Sequence, residues 1–157
     1  MIFVTVGTEQ YPFERLLRAV DELPGDEDLV VQSRADPPRP GRAVYVRELP
    51  YEQLVADVVR ARVVVCHAGV GSILTVLAND KRPIVVPRLQ RYGEHVDDHQ
   101  LLFARRLAEA GLVTLVEDTS ALADAVASTP TALPAAVGAS RLAVDLRATL
   151  EQLVYSR

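Results

Sequence analysis

The chain has 157 residues, 49% of them hydrophobic, which is enough for one well-cored domain and too little for two. Seventeen lysines and arginines stand against 21 aspartates and glutamates, a formal net charge of −4, so binding of nucleic acid or an anionic membrane through bulk charge is excluded and any anion site must be local. The lone Cys66 excludes an internal disulfide framework, and no apolar stretch approaches the roughly 20 residues that cross a bilayer.

Met1 leads directly into the apolar run Ile2 to Val6, without the basic flank or small-residue cleavage site of a signal peptide, so a cytoplasmic protein is expected. Short apolar runs predict strands at 2–6, 28–32, 43–47, 62–66, 83–87 and 112–116. Between and after them, helical spacing predicts helices at about 12–23, 51–60, 71–79, 96–110, 119–128 and 139–154. Unbroken Val/Ile strands alternating with helices point to a single α/β domain over residues 1–157, doubly wound around a mostly parallel, Rossmann-like sheet. The proline-rich stretch 34–42 reads as a surface loop inside that domain, because too little chain precedes it to fold alone.

One run stands out. After the apolar strand Val63-Val64-Val65 come Cys66-His67-Ala68-Gly69-Val70-Gly71-Ser72, followed by a helix-like stretch. A buried strand that turns through two glycines into a helix presents backbone N–H groups and the positive end of the helix dipole to an anion, with no side chain in the way. Loops that merely turn the chain also use glycine, so the motif alone does not settle a phosphate site. Open α/β sheets bind ligands beyond the carboxyl ends of their strands. Gly7-Thr8-Glu9 after the first strand, the glycine turn after the fourth and the polar segment Arg88 to Gln100 after the fifth all fall on that edge.

The strings HAGVGSILTVL, RPIVVP and GEHVDDHQLLFARRLAEAGLV resemble the carboxyl-terminal, donor-binding domain of family-28 glycosyltransferases, over Val4 to about Val116. The resemblance is to the small catalytic subunits of split enzymes: the eukaryotic one that adds N-acetylglucosamine to a dolichol-linked precursor, and bacterial exopolysaccharide transferases. It implies one half of a GT-B enzyme that binds a UDP-sugar. It also implies a membrane-bound partner subunit that holds a lipid-linked saccharide acceptor, and hence a peripheral place at the inner face of the membrane. By this resemblance Gly69, Gly71 and Ser72 cradle the diphosphate, and His67 touches the donor or braces the turn. Gly7 and Thr8 form the first glycine turn, His99 and Gln100 reach the sugar hydroxyls, and Leu49 and Tyr51 fall where relatives hold the uracil. Relatives often carry a ribose-gripping glutamate where this chain has Thr75, so the grip is expected to be weaker or supplied by another residue such as Glu94. Arg88 or Arg91 could offset charge on the leaving diphosphate. In GT-B enzymes the base generally comes from the acceptor half; within this chain Glu9 and His67 are the candidates.

Other chemistries fit less well. A dinucleotide site would want a third glycine where Leu74 stands and an acid where the next strand ends in Pro87-Arg88. His95 and His99, four apart with Asp98 beside them, could be drawn as zinc ligands, but no second ligand cluster supports them, and the resemblance implies no metal and no cofactor. Ser72 lacks the flanking order of a hydrolase nucleophile. The non-enzyme alternative is a nucleotide-sugar-binding regulatory subunit. Finally, Leu142, Leu146, Leu150 and Leu153 make one apolar stripe at helical spacing, so 139–157 is expected to be a docking helix for the partner.

Overall fold

The computed structural model describes residues 1–9, 11–38 and 41–128; the expected helix at 139–154 lies outside them. The elements are β1 (Ile2–Thr5), α1 (Glu14–Asp21), β2 (Leu29–Gln32), β3 (Val44–Val46), α2 (Tyr51–Arg60), β4 (Val63–His67), α3 (Val70–Leu77), β5 (Ile84–Val86), α4 (His99–Glu109), β6 (Thr114–Leu115) and α5 (Leu122–Ser128). All five strand pairings are parallel, and the sheet order is β3-β2-β1-β4-β5-β6.

Because side chains alternate across a strand, each apolar run feeds two cores. Ile2 and Val4 of β1 and Val63 and Val65 of β4 pack with Leu16, Leu17 and Val20 of α1 and Leu122 and Val126 of α5. On the opposite face Phe3 and Val64 meet Val58 of α2 and Val76 of α3, while Cys66 and Val85 meet Ile73, Leu77, Phe103 and Leu107 of α3 and α4. The sheet is therefore covered on both faces, as a doubly wound fold requires. Each fully buried aliphatic side chain contributes roughly 1.5–3 kcal/mol by leaving water. Burial also pushes the Cys66 thiol up to about 12, so it behaves as a small hydrophobe.

Polar residues close the apolar strands at their carboxyl ends. Thr5 and Gln32 sit side by side in register, both buried, and the Thr5 hydroxyl donates to Gln32 Oε1 at 2.6 Å. On the other side Thr5 pairs with Cys66, immediately before His67. This polar row forms the floor of a crevice.

Candidate functional site

The strand order reverses direction between β1 and β4, which is where open α/β sheets leave a crevice above their carboxyl ends. A cleft of about 410 Å³ occupies this place. Thr5, Gly7, Thr8 and Glu9 line it from β1 and its following turn, His67 and Gly69 from the end of β4, and Gly71, Ser72 and Thr75 from α3. Glu48, Leu49, Tyr51 and Leu54 close it from the β3–α2 side.

His67 organises the two glycine turns. Its imidazole is buried and pressed between them: a Cβ on Gly7 would stand 2.6 Å from His67 Cε1, and one on Gly69 would stand 2.1 Å from His67 Nε2. Gly7 also has φ +75°, a conformation that side chains with a Cβ rarely adopt. Burial first, and the Arg88 charge second, push the imidazole down to about 4, so the ring is neutral at physiological pH. The ring is packed against both glycine turns and also lines the cleft, so bracing and contact with a ligand both remain open to it.

Gly71 differs. A Cβ there would meet no protein atom within 4 Å, because the position faces the open cleft. Gly69 caps α3 without any side-chain hydrogen bond, and with Gly71 and Ser72 of the first turn it lines the cleft at the positive end of the helix dipole. The Thr75 hydroxyl donates to the Gly71 carbonyl at 2.9 Å, back into its own helix. Tyr51 stands at the cleft with 69% of its surface exposed, an aromatic face available to a flat ring.

The model of the glycosyltransferase family 28 C-terminal domain matches residues 1–130. The chain belongs to this family. It is similar to a UDP-N-acetylglucosamine–N-acetylmuramyl-(pentapeptide) pyrophosphoryl-undecaprenol N-acetylglucosamine transferase of Chromohalobacter salexigens, with 39% identity over 69 residues. That match covers 44% of this chain and 18% of the relative. A family-28 C-terminal domain is one half of the two-domain GT-B architecture, in keeping with the six-stranded parallel sheet found here.

In this family-28 domain the polar segment after β5 does not line the cleft; it is engaged within the protein. Arg88, only 1% exposed, donates to the carbonyls of Val6 at 2.9 Å, Tyr11 at 2.9 Å and Pro12 at 3.2 Å, with its guanidinium 4.5 Å from the Phe13 ring centroid. Glu94 accepts from Arg15 Nε at 3.0 Å, Arg15 Nη2 at 2.9 Å and the Leu89 N–H at 3.0 Å. Held so, its carboxylate is not available to grip a ribose at Thr75. Gln100 is buried and accepts from the Arg88 N–H at 3.2 Å. Arg91 lies over the Tyr92 ring, 4.9 Å from its centroid.

His99 is exposed at the start of α4, and Asp97 accepts from both its backbone N–H and its ring Nδ1. With His95 these residues bring three donor atoms within 4.8 Å of one another, so Asp97, and not Asp98, joins the two histidines. Asp98 instead accepts from the Gln90 N–H at 2.8 Å. Sequence reasoning missed Thr5, Gln32, Glu48 and Leu54 in the cleft. For the first two a signal was present: each is the single polar residue closing an apolar strand. No described helix is long and apolar enough to cross a membrane.

Proposed function

We propose that this chain binds a UDP-sugar in the cleft and is the donor-binding catalytic half of a glycosyltransferase acting on a lipid-linked saccharide, in polysaccharide or glycolipid synthesis. The observation that carries the reading is the uncapped N-terminus of α3 opening onto a cleft that Gly71 keeps clear. The diphosphate would lie on the N–H groups of Gly71 and Ser72, with Gly7 and Thr8 opposite, while Leu49 and Tyr51 meet the uracil. Thr75 offers only its oxygen to the ribose while its proton remains in the helix, and His99, exposed at the start of α4 outside the cleft lining with Asp97 holding its ring, meets the sugar hydroxyls where the donor extends beyond the cleft.

Transfer proceeds by inverting displacement at the anomeric carbon. As the bond to the β-phosphate oxygen breaks, charge grows on UDP, where backbone donors and the helix dipole are already in place and need no metal to act. The acceptor lipid is held by a membrane-attached partner subunit, which places the chain at the inner face of the membrane, and residues 139–157 supply the contact. The test is titration calorimetry of the folded chain with UDP, ADP and NAD. UDP binding in preference to the other two is expected; no UDP binding at millimolar concentration overturns the reading.

A further inference from the structure

A second cavity, of about 440 Å³, adjoins the cleft, and the two have Gly7 and Glu9 in common. Its other walls include Tyr11 and Pro12 before α1, Ser33 and Ala35 after β2, and Arg88 from the β5 side. Of the two shared residues only Glu9 carries a side chain, so a single carboxylate stands on the boundary between two spaces, each large enough for a sugar. Glu9 Oε2 lies 4.0 Å from Arg88 Nε and 3.5 Å from His95 Nε2, while 39% of its side chain is exposed. Arg88 is itself immobilised by the carbonyls it serves. The carboxylate is thus backed by a fixed cation and an imidazole and open in front.

A transferase must bring two substrates together so that their reacting atoms meet beside a group that can take a proton. We propose that the second cavity is the acceptor subsite of this chain, taking the terminal saccharide, and that Glu9 is the general base at its boundary with the donor cleft. The inference rests on the donor reading above. Tyr11 and Pro12 offer an apolar wall to a sugar ring, and the acceptor hydroxyl points past Gly7 toward the donor. The Glu9 carboxylate takes the hydroxyl proton, the freed oxygen bonds to the anomeric carbon, and the bond from that carbon to the β-phosphate oxygen breaks, its electron pair leaving with UDP. The lipid end remains with the partner subunit.

The test uses the full chain, membranes of its source organism as the supply of partner and acceptor, and radiolabelled UDP-N-acetylglucosamine and UDP-glucose as donor probes. Glu9→Gln is expected to cut transfer about 100-fold or more while its UDP affinity by calorimetry stays within about twofold of wild type. Ala35→Trp, which fills the second cavity away from the donor, is expected to raise the membrane concentration for half-maximal transfer about tenfold and leave the donor KM unchanged. The proposal is overturned if Glu9→Gln transfers at a rate near wild type, if Ala35→Trp moves the donor KM instead, or if the wild-type chain binds UDP yet transfers nothing to these membranes. A wild-type chain that binds no UDP fails at the earlier step, so the two failures are distinguishable.

Discussion

A Cβ on Gly69 would stand 2.1 Å from His67 Nε2, whereas one on Gly71 would meet no protein atom within 4 Å. The first glycine is required by the protein's own packing; the second leaves space that the protein does not use. Gly71→Val should therefore weaken UDP binding at least about tenfold, roughly 1.4 kcal/mol, without lowering the melting temperature. The backbone at Gly71 is not in the positive-φ region, so no strain is introduced there, and loss of a helical glycine stabilises slightly. Gly69→Ala should do the reverse and cost roughly 1–3 kcal/mol of stability through the clash with the imidazole. Calorimetric titration and thermal melts of the two variants separate the effects. In the sequence both are simply glycines of one turn, because what distinguishes them is the position of a ring brought in by the fold. The same ring predicts a pH dependence. His67 has its folded value near 4, below the ordinary 6.5, so the unfolded chain takes up the proton first. Its contribution is complete above pH 6.5 and is lost as pH falls toward 4, about 3 kcal/mol in all. Denaturant midpoints should fall between pH 7 and 4.5, and His67→Gln should flatten that slope. The paired Glu27, held down to about 2 mainly by its hydrogen bond from Arg62, acts in a lower window, between its ordinary 4.5 and that value.

Between β5 and α4 the chain crosses residues 87–98 with little regular structure beyond a 3₁₀ turn at Gln90–Tyr92, and backbone groups there must find partners elsewhere. Glu94 accepts from Leu89, Asp98 from Gln90, and Gln90 Nε2 donates to the Val96 carbonyl at 2.9 Å. A density of polar side chains that reads in sequence as ligand recognition is thus largely a framework for an irregular connection. Periodicity could not reveal this, since the partners are set by tertiary placement: Arg15, on α1, is 79 positions from Glu94. Their side chains are only 16% and 4% exposed, so removing one leaves the other as an uncompensated charge. Glu94→Ala should destabilise the domain by roughly 3–5 kcal/mol, and any remaining folded protein should keep its UDP affinity. Unchanged stability with lost UDP binding would return Glu94 to the ligand. The regular elements were easier to read. α2 spans the expected 51–60, and the strands fall inside their expected runs except β4, which extends one residue past 62–66 to His67; β6, pairing only with β5 at the sheet edge, is the shortest of those described. The helix boundaries at α1 and α4 moved inward by two or three residues, to Glu14 and His99, where neither N-cap makes a side-chain hydrogen bond that a sequence could announce.

The described residues already cover both faces of the sheet, with α1 and α5 on one side and α2, α3 and α4 on the other. Among the described residues each face of the sheet carries its own packed core, and those that line the cleft run from Thr5 to Thr75. That arrangement was legible as a class from strand–helix alternation, but the strand order that places β1 beside β4, and so creates the crevice, comes from long-range pairing that no local pattern encodes. It also bears on the carboxyl-terminal stripe of Leu142, Leu146, Leu150 and Leu153. These leucines lie outside the described residues; their spacing of four, four and three predicts one apolar helical face, and a partner subunit is the occupant that the proposed function supplies for it. Deleting residues 139–157 should leave the melting temperature within a few degrees of wild type and UDP affinity unchanged, because the described residues carry a packed core on each face of the sheet and line the cleft from Thr5 to Thr75. In cells of the source organism the same truncation should move the chain from the membrane fraction to the soluble fraction. Fractionation followed by immunoblotting reads the outcome. A truncated chain that unfolds would make the stripe part of the core, and one that stays with the membrane would move the docking surface to another face of the domain.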